Sequence, residues 1–427
     1  MRPTPRIALL VGSYRRYRRH VLYGIARYAQ SHGPWHFAHQ DEPVEGQLPP
    51  WLTTEPWDAA VVRIDGEELC EPFRRLDMPV VDVAGLDVYD GIACVTFDGE
   101  AAGKMAADHL IECGLEHFAF YGVPGIRYSE DSLRGFSKEV DISGRTVRSY
   151  LCGWRPERIH ATFRETLGLG PEADLTHWIA SLPKPVGLFA CNDFRAYEVL
   201  EACRVLELSV PEDLAIVGLG NDEVLCELNS TPLTSVDPNA QRIGYDAAAW
   251  VDSVLAGRAV SLSPRRIEPL GVVARKSTDI LYLNDEVVTR AVRFIRKNIH
   301  SHPRVEDVRS HVGLTRRTLE RRFAAELGRS PSEEIARVRL KRLTRLIATT
   351  NLSVAELARA VGFDHAESAF RFFKSQTGAT IGEFRAAHRP PSVLPRNMPT
   401  SFSVLAPSRD PSVGGPDGLD GIASVED

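Results

Sequence analysis

The chain has 427 residues, of which 43% are hydrophobic and 25% charged, and it carries a formal net charge of −6. That length predicts two or three domains, and that balance predicts a soluble globular protein able to bury sizeable cores. No run reaches the ~18 consecutive apolar residues of a membrane-spanning helix, and the seven cysteines form no C-x-x-C pair, which argues against a disulfide framework or zinc ribbon and for a reducing cytoplasm.

Ile7–Val11 is too short for the apolar core of a secretory signal and reads as a first strand. A helical pattern follows from about Arg18 to Ser31, and then strand-like runs at Ala59–Ile64, Val80–Val83 and Cys94–Phe97. Glu100–Cys113 is helical, Phe118–Tyr121 a strand, Glu130–Glu139 a helix, Gly187–Ala190 a strand, Asp193–Glu201 a helix and Ile216–Leu219 a strand. Asn239–Ala256 is a helix that Gly257 can end as a C-cap. Strands alternating with helices call for parallel sheets with helices on both faces, and about 270 residues of this pattern call for two lobes. In such folds ligands sit beyond the carboxyl ends of strands. The loops to watch are therefore Gly12–Arg19, Ile64–Gly66, Asp98–Gly99, Gly122–Asp131, Cys191–Arg195 and Gly220–Glu223.

The strand pattern stops after Lys276. Ser277–Asp285 reads as a polar-flanked connector, and Glu286 to Arg385 reads as helical throughout. Ser330-Pro331-Ser332-Glu333, Ser353-Val354-Ala355-Glu356 and Thr380-Ile381-Gly382-Glu383 each carry the capping-box pattern, with Pro331 at a first helical position where its missing N–H costs nothing. The stretch Glu286–Arg389 holds 21 basic against 11 acidic residues, whereas the rest of the chain holds 30 basic and 46 acidic. A basic module joined to an acidic one points to a polyanion-binding end and a separate ligand or partner end; a solvated helical surface is the alternative. Beyond Arg389 the composition turns to Pro, Gly, Ser and Asp, so disorder is expected over 390–427.

Val305 to Arg385 contains one pattern twice: a short amphipathic helix, a turn with Gly313 or Gly362, and a second helix, about Thr315–Leu327 in the first copy and His365–Thr377 in the second. A helix-turn-helix sets its second helix in the DNA major groove. The candidate contacts are Arg316, Arg317, Thr318, Glu320 and Arg321, then His365, Glu367, Ser368, Arg371, Lys374 and Gln376. Arg can read guanine edges, while Thr, Ser and Lys can hold phosphates. Ser332–Thr349 would be the rigid spacer between the two copies.

This segment resembles the AraC-type DNA-binding domain through Leu319-Glu320-Arg321-Arg322-Phe323, Glu326–Pro331, Ile347–Thr350, Val361-Gly362-Phe363, Phe372-Phe373-Lys374, Thr377-Gly378 and Glu383-Phe384-Arg385. It departs from the family at Ile381, where a Pro is usual, and at Arg309, where a small or apolar residue is. The N-terminal 270 residues resemble the two-lobed, periplasmic-binding-protein-like (type I) α/β sugar sensor of LacI-type repressors. The stretches that carry this are Thr96-Phe97-Asp98, Ala102-Gly103, Phe118–Gly122, Phe189–Asp193, Val210–Gly218 and Pro232–Val236. Sensor first and AraC-type domain last resembles the order in bacterial xylose-operon regulators, a likeness that includes Arg19, Gly24, Asp193, Arg195, Asn221 and Arg275–Asp279.

The resemblance implies a sugar effector, with D-xylose the leading candidate, double-stranded operator DNA and RNA polymerase as partners, a homodimer, and no cofactor, metal or catalysis. The division it implies is a sensor over 1–276, a linker over 277–285 and a DNA-binding domain over 286–389. A sugar needs polar groups for its hydroxyls and a flat apolar face. Asn192, Asp193 and Arg195 at one strand-to-helix turn, Asn221 at another, and Arg19 and Asp98 in the cleft loops fit the polar role. Tyr14, Tyr17 and Tyr121 offer flat faces. Asp193 reads alternatively as a helix N-cap, and Arg18 and Arg19 as a solvated first turn. Two positions depart from LacI-type sensors: Gly220 stands where a sugar-binding Asp is usual, and Ser132 where an Arg is, with Arg134 directly before Gly135-Phe136.

Other functions find little footing. Gly99–Lys104 is one residue short of a phosphate loop, with Met105 in place of the required hydroxyl, and no hydrolase or metalloprotease motif is present. The thirteen histidines show no metal spacing. A transport-type binding protein would need an export signal and would not carry a basic helical domain. A ligand-independent DNA-binding regulator whose N-terminal domain mainly dimerises stays open.

Overall fold

The computed structural model describes residues 4–41, 48–64, 66–152, 173–283 and 285–388. The tail over 390–427 lies outside them. In chain order the N-terminal part runs β1 (Arg6–Leu10), α1 (Arg16–His32), β2 (His36–His39), α2 (Pro50–Thr54), β3 (Ala59–Val62), α3 (Cys70–Arg74), β4 (Val80–Asp82), β5 (Ala93–Phe97), α4 (Gly99–Glu112), β6 (His117–Gly122), α5 (Arg127–Ile142) and β7 (Val147–Leu151). It continues with α6 (Ala173–Ser181), β8 (Val186–Ala190), α7 (Asp193–Val205), β9 (Leu214–Leu219), α8 (Glu223–Leu228), β10 (Thr234–Asp237), α9 (Ala240–Leu255), β11 (Arg265–Ile267) and β12 (Gly271–Val273). The helical module follows: α10 (Glu286–Asn298), α11 (Val305–Val312), α12 (Arg316–Leu327), α13 (Pro331–Thr349), α14 (Val354–Ala360), α15 (Ala366–Thr377) and α16 (Ile381–His388).

The strands form two six-stranded sheets, ordered β11-β5-β4-β3-β1-β2 and β12-β10-β9-β8-β6-β7. All pairs are parallel except β10 with β12. Parallel strands covered on both faces read as unbroken apolar runs. In β3, Ala59 and Val61 join the core beneath α1, while Ala60 and Val62 join the opposite one with Leu52 and Phe73. The chain passes between sheets after β5, β10 and β11. The crossings are stitched together by Asp98 N–H to Ile267 O (2.8 Å) and Leu270 N–H to Asp237 O (2.9 Å).

Each lobe carries a helix pair in backbone contact. A Cβ at Gly244 in α9 would stand 1.9 Å from Val21 O in α1, and one at Gly135 in α5 would stand 2.0 Å from Glu100 O in α4. Only glycine permits that approach.

The helical module has two small cores bridged by one helix. The first gathers Val288, Val292, Ile295, Val308, Leu319 and Phe323 with Ile335 of α13; the second gathers Leu357, Val361, Phe373 and Ile381 with Leu343 and Ile347 of the same α13. All three expected capping boxes form. Ser330, Ser353 and Thr380 accept from the N–H of Glu333, Glu356 and Glu383 at 3.2, 3.3 and 3.1 Å, and each Glu accepts from the cap backbone in return. The segment expected as a connector is packed against both parts. Ser277 Oγ donates to Ile216 O (2.6 Å) inside the second sheet's lobe, and Leu281 joins the first helical core. Among the described residues, no helix is long and apolar enough to cross a membrane.

Candidate functional site

A cavity of about 100 Å³ opens between the lobes, at the carboxyl ends of the strands. Tyr17 and Arg18 enter it from the first turn of α1, Arg63 from the end of β3, Phe97 from β5, Tyr128 from α5, and Asn192, Asp193 and Phe194 from the start of α7. Tyr17 packs edge-on against Phe97 with centroids 6.5 Å apart, and Phe97 lies 6.0 Å from Tyr128. Tyr17 OH donates to Val83 O (3.0 Å), which fixes its ring at the wall.

Asn192 Oδ1 caps α7 by accepting from Arg195 N–H (2.9 Å), and its Nδ2 donates to Tyr128 Oη (3.0 Å). Asn192, not Asp193, is therefore the cap. Asp193 is 3% exposed; its Oδ1 accepts from Ser235 Oγ (2.5 Å) and its Oδ2 from Asp222 N–H (2.8 Å). Burial pushes this carboxyl up to about 6, against the hydrogen bonds from Ser235 and Asp222 that favour its charged form. A carboxylate held this way has lone pairs left for a ligand hydroxyl.

Of the nine expected ligand contacts, Tyr17, Asn192 and Asp193 line the cavity. Tyr14 stands outside the lining with its ring under the Arg18 guanidinium (4.2 Å). Arg19 donates to Ser13 O (3.1 Å), and Asp98 caps α4 by accepting from Ala101 N–H (3.0 Å). Tyr121 and Arg195 are buried within the second lobe, where both meet Glu198 at 2.7 Å. Asn221 braces the hinge, donating to Asp237 Oδ2 (3.0 Å) and accepting from Arg275 (2.9 Å). None of these six faces the cavity. Gly220 lines it at φ +129°, and a Cβ there would meet Asp193 Oδ2 at 3.0 Å, so an acidic side chain would begin against the Asp193 carboxylate. Ser132 is fully buried, and Arg134 lies outside, bonded to Glu100 (2.9 Å) and Asp131.

Sequence reading passed over Arg16. Its Nε donates to Glu223 (2.6 Å), one Nη to Asp237 (2.9 Å) and the other to Gly220 O (3.2 Å). The residue ties α1 of the first lobe to the strand ends of the second. It sits in a run of arginines with no periodic mark to single it out.

The two helix-turn-helix units present matching faces. α12 buries Leu319 and Phe323, and α15 buries Ala369 and Phe373, at the same spacing. Arg316, Arg317 and Arg321 are exposed on α12, with Thr318 and Glu320 half-buried; Arg316 Nε donates to Glu320 (2.9 Å). On α15 and its cap, His365, Glu367, Arg371, Lys374 and Gln376 are exposed and Ser368 is half-buried. All eleven residues expected at the reading faces therefore lie on α12 or α15 or at their caps.

A charged joint connects the two-lobed part and the helical module. Glu112, the last residue of α4, pairs with Arg337 and, at 3.1 Å, with Lys341, both on α13. Arg337 also holds Glu334 (2.9 Å), which in turn holds Arg329 (2.6 Å) just beyond α12. Burial alone would raise the Glu112 carboxyl, but Lys341 and Arg337 outweigh it and hold the group down at about 2. One turn earlier, burial pushes His109 down to about 3, helped by Lys341 at 3.4 Å, and the neutral ring bonds Thr278 Oγ1 (2.7 Å).

Residues 107–278 match the periplasmic binding protein-like domain family, and residues 310–387 a helix-turn-helix domain family. The chain is 30% identical over 386 residues to a xylose operon regulatory protein of Haemophilus influenzae, covering 89% of this chain and 98% of that one. It is 28% identical over 393 residues to the protein of the same description from Escherichia coli K12, covering 89% and 96%. A solved structure described as a xylose-binding transcription activator superposes with a TM-score of 0.54 at 26% identity, covering 90% of this chain and 98% of that one.

Proposed function

The chain belongs to the family of xylose operon regulatory proteins, and from that premise we propose how it works: residues 1–276 sense a sugar, residues 286–389 read DNA, and 277–285 join them. It is a DNA-binding, sugar-responsive transcription regulator. The observation that carries the reading is the matched pair α12 and α15, each burying one side on its own small core and turning an arginine-bearing side outward.

In this reading the sugar's hydroxyls meet Asn192 and Asp193, with Arg18 and Arg63 beside them, and its apolar face rests on the Tyr17, Phe97 and Tyr128 rings. Xylose is the sugar in the relatives' descriptions, so D-xylose is the first effector to try, followed by other pentoses. Ligand in the cleft favours one lobe arrangement by binding it more tightly than the other. α4 starts beside the hinge at Asp98 and ends at Glu112 on α13, so it carries that choice to the helix that spaces the two reading units. The protein acts in the cytoplasm as a homodimer and activates sugar-use genes through RNA polymerase. Each copy sets α12 and α15 in successive major grooves about one turn (~34 Å) apart.

Arg317→Ala or Arg371→Ala should weaken binding to a selected operator by about 1–3 kcal/mol while leaving random-sequence binding much less affected. Anisotropy titrations on both duplexes check this. An unchanged ratio of specific to random affinity in both variants would overturn the assignment of α12 and α15 as base readers.

A further inference from the structure

The helical module leaves one large apolar side chain exposed among its described residues. Phe370 is 38% exposed on α15, beside Glu367 and Arg371, over a shallow depression that Val354 and Ala366 also line. Counted from the buried pair Leu319 and Phe323, the same place on α12 is Glu320, which Arg316 holds at 2.9 Å. The two reading helices thus bury the same positions but differ at this one: a paired carboxylate on the first, a phenyl ring on the second.

A phenyl ring on a groove-reading face has one complementary feature in B-DNA. Thymine's C5-methyl is the only apolar group that base pairs present in the major groove; the rest are hydrogen-bond donors and acceptors. Covering those with a ring would strip their water and return no partner. We propose that Phe370 is a specificity-determining residue, reading the methyl group of a thymine in the half-site contacted by α15. Glu367, one turn before it, is suited to accept from a cytosine amino group, and Arg371, next to it, to donate to a guanine. The half-site of α15 therefore requires a thymine methyl that the half-site of α12 does not. This inference rests on the reading of α12 and α15 as DNA-binding helices.

The test uses the full chain and the duplex it selects from a randomised pool. Each thymine of that duplex is replaced singly by deoxyuridine, which pairs identically and lacks only the methyl. One position in the α15 half-site should show about a four-fold loss of affinity, the equivalent of ~0.8 kcal/mol for one buried methyl. At that position Phe370→Ala should bind thymine and deoxyuridine duplexes equally, while Phe370→Leu keeps part of the difference. Melting temperatures close to wild type for both variants confirm that the fold is intact. No methyl-sensitive thymine in that half-site, or a sensitivity that persists in Phe370→Ala, would overturn the proposal. Failure to select any sequence would overturn the DNA-binding reading beneath it.

Discussion

Asp193→Ala should abolish the sugar response while leaving basal operator binding intact. Removing a hydrogen-bonded buried carboxylate costs roughly 1.5–3 kcal/mol of ligand affinity, about 10- to 150-fold. The same change leaves Ser235 Oγ and Asp222 N–H without their acceptor, so the sensor should also lose about 1–3 kcal/mol of stability. Asp193→Asn keeps an acceptor for Asp222 N–H and separates the two effects: fold retained, sugar affinity reduced. The helical module should not notice either change, because Phe323 and Phe373 sit in cores to which none of the described residues among the sensor's first 270 contributes. Calorimetric titration with D-xylose and other pentoses, paired with operator anisotropy, reads both quantities. A folded Asp193→Ala protein with a normal sugar response would remove Asp193 from the site.

The second large effect is expected at the joint. Glu112 pairs with both Arg337 and Lys341 across the joint, so Glu112→Ala should leave sugar and operator binding each near normal but cut the link between them. Coupling between two sites is typically 1–3 kcal/mol, about 5- to 150-fold, and is reciprocal. In the variant the operator Kd should become the same with and without sugar, and the sugar Kd the same with and without operator. Glu112 is partly exposed, so solvent screens the pair and the cost in stability should be small beside the loss of coupling. Wild-type coupling in Glu112→Ala would show that the signal takes another route.

Features set by local chemistry were legible in the sequence. The three capping boxes need only residues three apart, and they form as read. Ala59–Val62 announces itself because both of its faces are buried. Four of the missed strands are the sheet edges: His36–His39 and Val147–Leu151 are half-exposed, and Arg265–Ile267 and Gly271–Val273 are only three residues long; the fifth, Thr234–Asp237, is fully buried, but Val236 is its one aliphatic residue.

The site divides the same way. Most of the cleft loops were legible, since parallel strands place ligands at their carboxyl ends, and much of the cavity wall is built from those loops or the residue before them; Ala84 and Leu86 after β4 and Pro238 after β10 line it from loops not singled out. Individual side chains were not. Whether Tyr121 faces the cleft or the lobe interior depends on the register of β6, and the interior holds it. Arg195 did carry a cue, because Glu198 three residues on is its partner on the same helix. Arg63 and Tyr128 reach the cavity through lobe geometry that one chain's sequence does not display.

The measurement closest to the central claim is the operator affinity of the full chain, titrated with D-xylose and then with other pentoses, with the melting temperature followed in parallel. A sugar at 100 times its Kd adds about 2.7 kcal/mol to the state it binds. At least one pentose should raise the melting temperature and also shift operator Kd by about five-fold or more. A pentose that stabilises the protein and leaves operator affinity untouched would contradict it. So would a full panel that does neither, which would make the N-terminal lobes a dimerising scaffold rather than a sensor.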